Sequence, residues 1–469
     1  MSESRNEFHG EPQHEASSNA SAAAGSDCVQ AGPLAGAPLD GPYRAENPGA
    51  DPVGHKRAAT TEAQTAVQSA AKQLDPAAGA NGSRFVRACL RLPVDRTPVW
   101  FLRQAGRYMP EYMAVRNHHS LLEICRTPEI ASEVTITAAE RLGVDAAIIF
   151  ADLLLPFAPM GLDFEFVTDE GPRIHTPIRT VEQARALRTD RTDELGYVAR
   201  AIEKVAAHFA QHRYADPGSS LANRLGIIGF IGAPFTLASY MIEGGGSRNY
   251  VETKRLMYAS APAPQARYLE RRANRAGETA SSNLPRIDPI NSNSESAAWP
   301  ILMDKLVTVL ADYAAQQVAA GADVIQVFDS WVGTLSPSDY RQYALAPTTE
   351  LIRRIRALGV PVIYFGVDTS TLLPTMRETG ADVLGIDWRT PLDQAWYALG
   401  HGVAIQGNLD PIVLLAPDAI LHTRVAEILH AAAGRPGHIF NLGHGIVPGT
   451  PVDAVLQVVQ QIKNSVRIR

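Results

Sequence analysis

Short apolar runs separated by helical patterns recur along most of this chain, and that rhythm restricts its fold more than any other feature. Eight runs stand out: Val99 to Leu102, Asp145 to Phe150, Leu225 to Ile231, Val324 to Phe328, Val360 to Phe365, Val383 to Ile386, Val403 to Ile405 and His438 to Phe440. They are largely continuous in apolar character rather than alternating, as expected of parallel strands buried on both faces. Helical spacing fills the gaps between them. After Thr192, which reads as an N-cap, Leu195, Val198, Ile202, Val205 and Phe209 recur at three- and four-residue steps. Met303, Leu306, Val307, Leu310, Tyr313 and Ala314 do the same, and Gly321 is placed to end that helix. The alternation predicts an α/β chain of the (β/α)8 TIM-barrel class, with insertions. An open doubly wound sheet is the competing arrangement, and it usually carries a Gly-rich turn after the first strand. Here that turn reads Arg103-Gln104-Ala105-Gly106-Arg107. The stretch Phe164 to Ile174, centred on Asp169-Glu170-Gly171, predicts an added hairpin.

Two segments fall outside the rhythm. Residues 1–82 are rich in Ala, Gly, Ser, Pro and Glu, a composition that buries too little apolar surface to offset its ordering entropy. They are expected to form a disordered extension ahead of one barrel domain over 83–469. Residues 262–297 read as a polar insertion within that domain, with a helical turn around Tyr268 to Arg275. The extension carries ten acidic and five basic residues, so it holds five of the chain's six net negative charges. The nearly neutral remainder speaks against a nucleic-acid partner. No apolar run reaches the roughly 20 residues of a membrane span. The acidic first residues fit neither a secretory leader nor an organelle transit peptide. Cys28, Cys89 and Cys125 form no CxxC or HxC pair, so neither a zinc site nor a redox dithiol is indicated, and a cytoplasmic compartment fits best.

In barrels of this class the chemistry gathers beyond the C-terminal strand ends. The polar residues there are Arg103, Gln104 and Arg107, then Asp152, Tyr240 (beyond Pro234), Asp329 with Ser330, Asp368, Asp387, Asn408 and His444. Arg103, Arg107 and Arg116 cluster after the first run. Guanidinium groups bind carboxylates through a planar two-pronged fork, so the cluster suits a polyanionic small molecule; surface ion pairs are the alternative. His208 and His212 have the spacing of zinc ligands, but the apolar stripe already claims that helix's buried face, which leaves them to solvent. Gly244-Gly245-Gly246-Ser247 lacks the GK[ST] of a phosphate loop and reads as a tight turn.

Longer motifs carry a resemblance. PVWFLRQAGRYMPEYMAVR (98–116) and GFIGAPFTLASYMIEGG (229–245) closely resemble two signatures of the uroporphyrinogen decarboxylase family. IIFADLLLP, VFDSWVGTLSP, YFGVDTSTLL, IDWRTPL, IQGNLDP and FNLGHGIVPGTP follow in that family's order. The resemblance spans about Arg84 to Lys463 apart from the insertion, and the departures touch no motif. Carried over residue by residue, it implies carboxylate-binding Arg103, Arg107 and Arg116 with Gln104 beside them, a pyrrole-facing Asp152, Tyr240, Ser330 and His444. Of these, Asp152, Arg103, Tyr240 and His444 are expected to act in catalysis.

The resemblance implies stepwise removal of CO2 from the four acetate arms of uroporphyrinogen, giving coproporphyrinogen, by a homodimer. The pyrrole ring itself serves as electron sink, so no organic cofactor or metal is implied. An ionised Asp152 would accept the pyrrole N–H groups and stabilise the developing cation. Arginine, with a pKa above 12, is a poor general acid, whereas His444 titrates in a better range. Two rivals remain at this stage. A zinc-dependent corrinoid or thiol methyltransferase of the same superfamily would need an HxC pair, which is absent here. A non-catalytic tetrapyrrole carrier would have no need to keep Asp152, Tyr240 and His444 together.

Overall fold

The computed structural model describes residues 83–167, 171–211, 224–260 and 297–465. The expected extension over 1–82, nearly all of the 262–297 insertion, and His212 lie outside them. Seven parallel strands run in the order β1 (Ala146–Ile148), β4 (Gly226–Gly232), β5 (Val324–Asp329), β6 (Val362–Gly366), β7 (Val383–Gly385), β8 (Ala404–Gln406) and β9 (His438–Ile439). Helices connect them, so the sheet has the α/β character its continuous apolar runs predict. Ile227, Val324, Val362, Val383, Ile405 and Ile439 are fully buried. The added hairpin is present: β2 (Phe164–Val167) pairs antiparallel with β3 (Gly171–Ile174), although residues 168–170 of its turn lie outside the description.

The first expected strand is reduced to one bridging residue. Val99 pairs with Phe440 on one side, Phe440 N donating to Pro98 O at 2.9 Å. On its other side Asp145 N donates to Val99 O at 2.8 Å, just ahead of β1. The ladder stops one residue on, after Trp100 N donates to Phe440 O at 3.4 Å, because side-chain amides take the following backbone donors. Phe101 N donates to Gln104 Oε1 at 3.3 Å, and Leu102 N to Asn441 Oδ1 at 2.9 Å. The extended run thereby turns into a loop just where Arg103 is placed.

The helix predicted from Thr192 also differs at its start. Thr192 is buried and opens a 3-10 turn (Thr192–Leu195) that leads into the α-helix Gly196–Gln211, rather than capping it. Val198, Ile202, Val205 and Phe209 are buried as the spacing requires. His208 does not simply face solvent, because its Nε2 lies 2.7 Å from Glu140 Oε1.

One device recurs at the N-terminal strand ends. Gly143-Val144-Asp145, Gly321-Ala322-Asp323 and Gly380-Ala381-Asp382 each end a helical segment and lead directly into β1, β5 or β7. The glycines sit at φ of +64°, +111° and +78°, a region costly for residues with a Cβ. Each aspartate then grips one residue of the preceding strand segment by both backbone groups. Asp145, Asp323 and Asp382 donate their N–H to Val99 O, Ile227 O and Val362 O. Their carboxylates accept Val99 N (2.8 Å), Ile227 N (2.9 Å) and Val362 N (3.0 Å). An arginine completes each clasp, Arg96 on Asp145, Arg224 on Asp323 and Arg356 on Asp382. Asp145 takes the fully buried Arg84 as well, at 2.6 Å. This rim fixes strand register, and with it the positions of the loops at the other end.

Candidate active site

The strand-end residues divide into two sets. Gln104, Asp329, Asp387 and Asn408 are buried and spend their polar atoms inside the protein. Gln104 accepts Phe101 N and donates Nε2 to Ala146 O at 3.2 Å, so it ties the Arg103 loop to β1. Asp329 accepts Thr236 Oγ1 and Tyr364 OH, each at 2.7 Å. Asn408 Nδ2 donates to the carbonyls of Asp387 and Thr390 at 2.8 and 2.6 Å. The expectation that nearly every strand sends its polar end group into one open mouth is therefore too broad. Arg103 and Arg107 are exposed, while Arg116, Asp152, Tyr240, Ser330 and His444 are half-buried; these remain for a ligand.

Asp152 follows β1 and accepts Leu154 N on Oδ1 at 2.8 Å. Burial pushes its pKa up to about 6, against the opposing pull of that N–H and of the Arg103 charge. Tyr240, near the end of the helix Pro234–Glu243, feels the Asp152 charge, and burial with that charge raises its phenol to about 12. It stays a neutral hydrogen-bonding group at any working pH. Its ring meets Trp331, the neighbour of Ser330, with centroids 5.6 Å apart, and Tyr250 packs on the same indole at 5.6 Å. At the ends of β4, β5 and β6, Phe230, Phe328 and Phe365 stack edge to face at 5.5 and 5.9 Å and give the site an aromatic wall.

Arg103 holds a left-handed backbone (φ +59°), unusual for a residue with a Cβ and frequent at functional positions. Among the described residues its guanidinium has no hydrogen bond or ion pair, and neither has that of Arg107. Arg116 donates Nη1 to His119 O at 2.6 Å, and both Arg107 and Arg116 act electrostatically on Tyr112. The Tyr112 ring lies 5.2 Å from that of Phe150, two residues before Asp152, which places this arginine pair on the same side of the site.

His444 is set by the glycines on either side of it. A Cβ on Gly445 would fall 2.4 Å from Arg103 Cδ, and one on Gly443 would fall 2.2 Å from Trp388 N. Glycine at 443 lets the Trp388 backbone close on the His444 loop from one side, and glycine at 445 leaves room for the Arg103 side chain on the other. The His444 ring stands edge-on to Trp388, centroids 6.2 Å apart. Burial, together with the Arg103 and Arg389 charges, holds its pKa below the ordinary imidazole value. The imidazole is thus largely neutral near pH 7, able to donate from one nitrogen and accept on the other.

Sequence reasoning missed Arg389, Trp331 and Trp388. Their signal was position, since Trp388 and Arg389 lie three and four residues past β7 and Trp331 lies two residues past β5. Gly244, φ +87°, ends the helix that carries Tyr240, in keeping with a turn rather than a phosphate cradle. A cleft of about 770 Å³ lies far from these residues, between the helices Asp418–Ala432 and Val452–Asn464 and against Thr97. Its lining is amide, imidazole, hydroxyl and aliphatic groups with no carboxylate or guanidinium, so the converging charges rather than this volume locate the site.

Comparison with known proteins points the same way. A sequence model described as uroporphyrinogen decarboxylase (URO-D) matches residues 81–274 and 291–465. A uroporphyrinogen decarboxylase of Koribacter versatilis is 56% identical over 377 residues, covering 80% of this chain and 94% of the relative. Those of Solibacter usitatus and Sorangium cellulosum are 48% and 46% identical, each covering 81% of this chain and 97% and 95% of theirs. A methyltransferase from Methanosarcina mazei has a similar fold, with a TM-score of 0.60 at 18% identity over 82% of this chain and 98% of its own.

Proposed function

The chain belongs to the uroporphyrinogen decarboxylase family, and on that premise we propose that it removes the four acetate carboxylates of uroporphyrinogen III as CO2, giving coproporphyrinogen III in haem and tetrapyrrole biosynthesis. One observation carries the proposal. The half-buried carboxylate of Asp152 sits within reach of the Arg103 charge and of Tyr240, in a site with an aromatic wall and with the Arg103 and Arg107 guanidinium groups unpaired among the described residues. Such a site suits a flat apolar ring system that bears N–H donors at its centre and carboxylates at its edge.

The chemistry balances without an external electron sink. A proton adds to the ring α-carbon and makes the pyrrole cationic. The bond from the acetate methylene to its carboxylate then breaks, CO2 leaves, and the electron pair becomes the exocyclic double bond. A second proton converts that methylene to methyl, and the first is returned from the α-carbon, so one proton is consumed for each CO2. Ionised Asp152 accepts the pyrrole N–H groups and stabilises the cation, a gain larger in the transition state than in the bound substrate. Arg103, Arg107 and Arg116 hold carboxylates, with Ser330, Tyr240 and His444 supplying neutral hydrogen bonds. Gln104 supports Arg103 from behind. No metal or organic cofactor enters these steps, because the substrate ring holds the electrons.

The bonds of Val99 to both Phe440 and Asp145 support a closed eight-stranded barrel. We take 83–469 as that domain, 262–297 as its insertion and 1–82 as an extension outside it. The active form is proposed to be a cytoplasmic homodimer with no nucleic-acid partner. The defining experiment incubates the chelator-treated protein with anaerobically reduced uroporphyrinogen III and separates the oxidised products by chromatography. Coproporphyrin, with intermediates of seven, six and five carboxylates, is expected; unchanged uroporphyrin would overturn the proposal.

A further inference from the structure

We infer that Arg389 is an additional substrate-binding residue, forming with His444 and Arg103 a cradle for one carboxylate of the substrate. The inference rests on the function proposed above and adds a residue to its site. Arg389 follows β7 by four residues, and its side chain is 45% exposed. It is nonetheless held in place. Nη1 donates to Asp387 Oδ2 at 2.9 Å, while its own backbone N donates to Asp387 Oδ1 at 2.9 Å. Asp387 is buried and is itself anchored by Asp368 N. The guanidinium carbon lies 4.1 Å from the centre of the Trp388 ring, a cation–π contact on the same indole that meets His444.

This arrangement leaves Nε and Nη2 without a bond among the described residues. Two other ion-paired arginines have spent their donor edges. Arg341 places both terminal nitrogens on Glu378 at 2.6 Å, and Arg356 contributes Nε and Nη2 to Asp382, each at 3.1 Å. Arg389 alone of these three keeps a two-pronged donor edge open while two contacts fix its plane, which is what bidentate carboxylate recognition needs. The Gly443 contact with Trp388 N brings its loop against the His444 loop, and Gly445 brings Arg103 against the other side. Three nitrogen-bearing side chains therefore converge from three different strand ends, and a carboxylate of the substrate is the ligand class they suit.

The test compares steady-state constants for uroporphyrinogen III in wild type, Arg389→Gln, Arg389→Lys and Arg341→Gln. Arg389→Gln is expected to raise KM about ten-fold or more while kcat stays within about two-fold, because a charge-assisted bond is lost in ground and transition states alike. Arg389→Lys keeps the charge without the fork and is expected to raise KM about three-fold. Arg341→Gln, an exposed ion-pair arginine away from the site, should leave both constants unchanged. Thermal unfolding of each variant guards against a folding defect, and the lysine variant retains a partner for Asp387 should glutamine loosen the loop. A KM within about two-fold of wild type in Arg389→Gln overturns the inference, as does an equal rise in Arg341→Gln. Wild type without activity would instead sink the proposed function itself, so the two failures are told apart.

Discussion

The two rims of the strand array use the same residue types to opposite ends. At the N-terminal rim, Asp145, Asp323 and Asp382 each face an arginine and a backbone N–H, so every charge there is answered within the chain. At the C-terminal rim, Asp152 accepts one backbone N–H and no ion pair, and the Arg103 and Arg107 guanidinium groups have no partner among the described residues. A buried charge left without a partner costs stability. At the C-terminal rim Asp152 carries that cost where a ligand can relieve it, and the N-terminal rim supplies the rigidity that makes it tolerable.

That contrast can be broken most decisively at Asp152. Asp152→Asn keeps the shape and the bond to Leu154 N but removes the charge. The expected outcome is a fall in kcat of about a hundred- to a thousand-fold with KM little changed. Near-normal kcat with weakened binding would reduce Asp152 to an anchor. At the opposite rim, Asp145→Ala takes a carboxylate from the buried Arg84, which keeps Asp95, and from Arg96, and should cost roughly 3 kcal/mol of stability in denaturant unfolding. The activity of the molecules that remain folded should be unchanged; an active-site defect in them would erase the division between the rims. Arg107→Ala should be milder, raising KM about ten-fold at nearly constant kcat.

The smallest effects concern pH. Asp152 has a pKa raised to about 6, so kcat should fall as pH drops below that value, and the acid limb should vanish in Asp152→Asn. For stability the sign runs the other way from a salt-bridged aspartate. Between the ordinary carboxylate value of about 4 and the folded value of about 6, the native state binds more protons than the unfolded chain, so stability declines as pH rises through that window. Asp152→Asn escapes the cost of the buried charge, and above pH 7 its unfolding midpoint should lie about a degree or two higher than wild type. A lower midpoint would mean that the carboxylate is satisfied within the fold after all.

Much of the molecule was legible before any coordinates. Seven of the eight apolar runs became strands within a residue or two of their expected ends, because continuous burial on both faces leaves little freedom in residue type. The exception, Val99 to Leu102, has the composition of a strand but loses its ladder to the side chains of Gln104 and Asn441, and Asn441 lies 339 residues from the Leu102 donor it captures. Gly-x-Asp recurs in the sequence well beyond the three clasps, and which copies grip a strand depends on which strand lies beside which. Gln104 was expected beside the substrate. It faces inward instead, because its amide satisfies both a backbone donor and a backbone acceptor at once.

The sequence by itself determined the elements, their order and the chemical types at the strand ends, since these follow from local periodicity and from motifs that occupy contiguous stretches. Tertiary structure alone decided which of those polar groups stay available. Asp152 and Asp329 both stand just beyond a strand's apolar core, and both have pKa values raised to about 6 by burial. Asp329 is closed in by Thr236 and Tyr364, residues that precede and follow it by 93 and 35 positions, whereas among the described residues the Asp152 carboxylate accepts only the N–H of Leu154. Whether a carboxylate is spent or open depends on partners that the chain brings near only when it folds, and no local pattern encodes them.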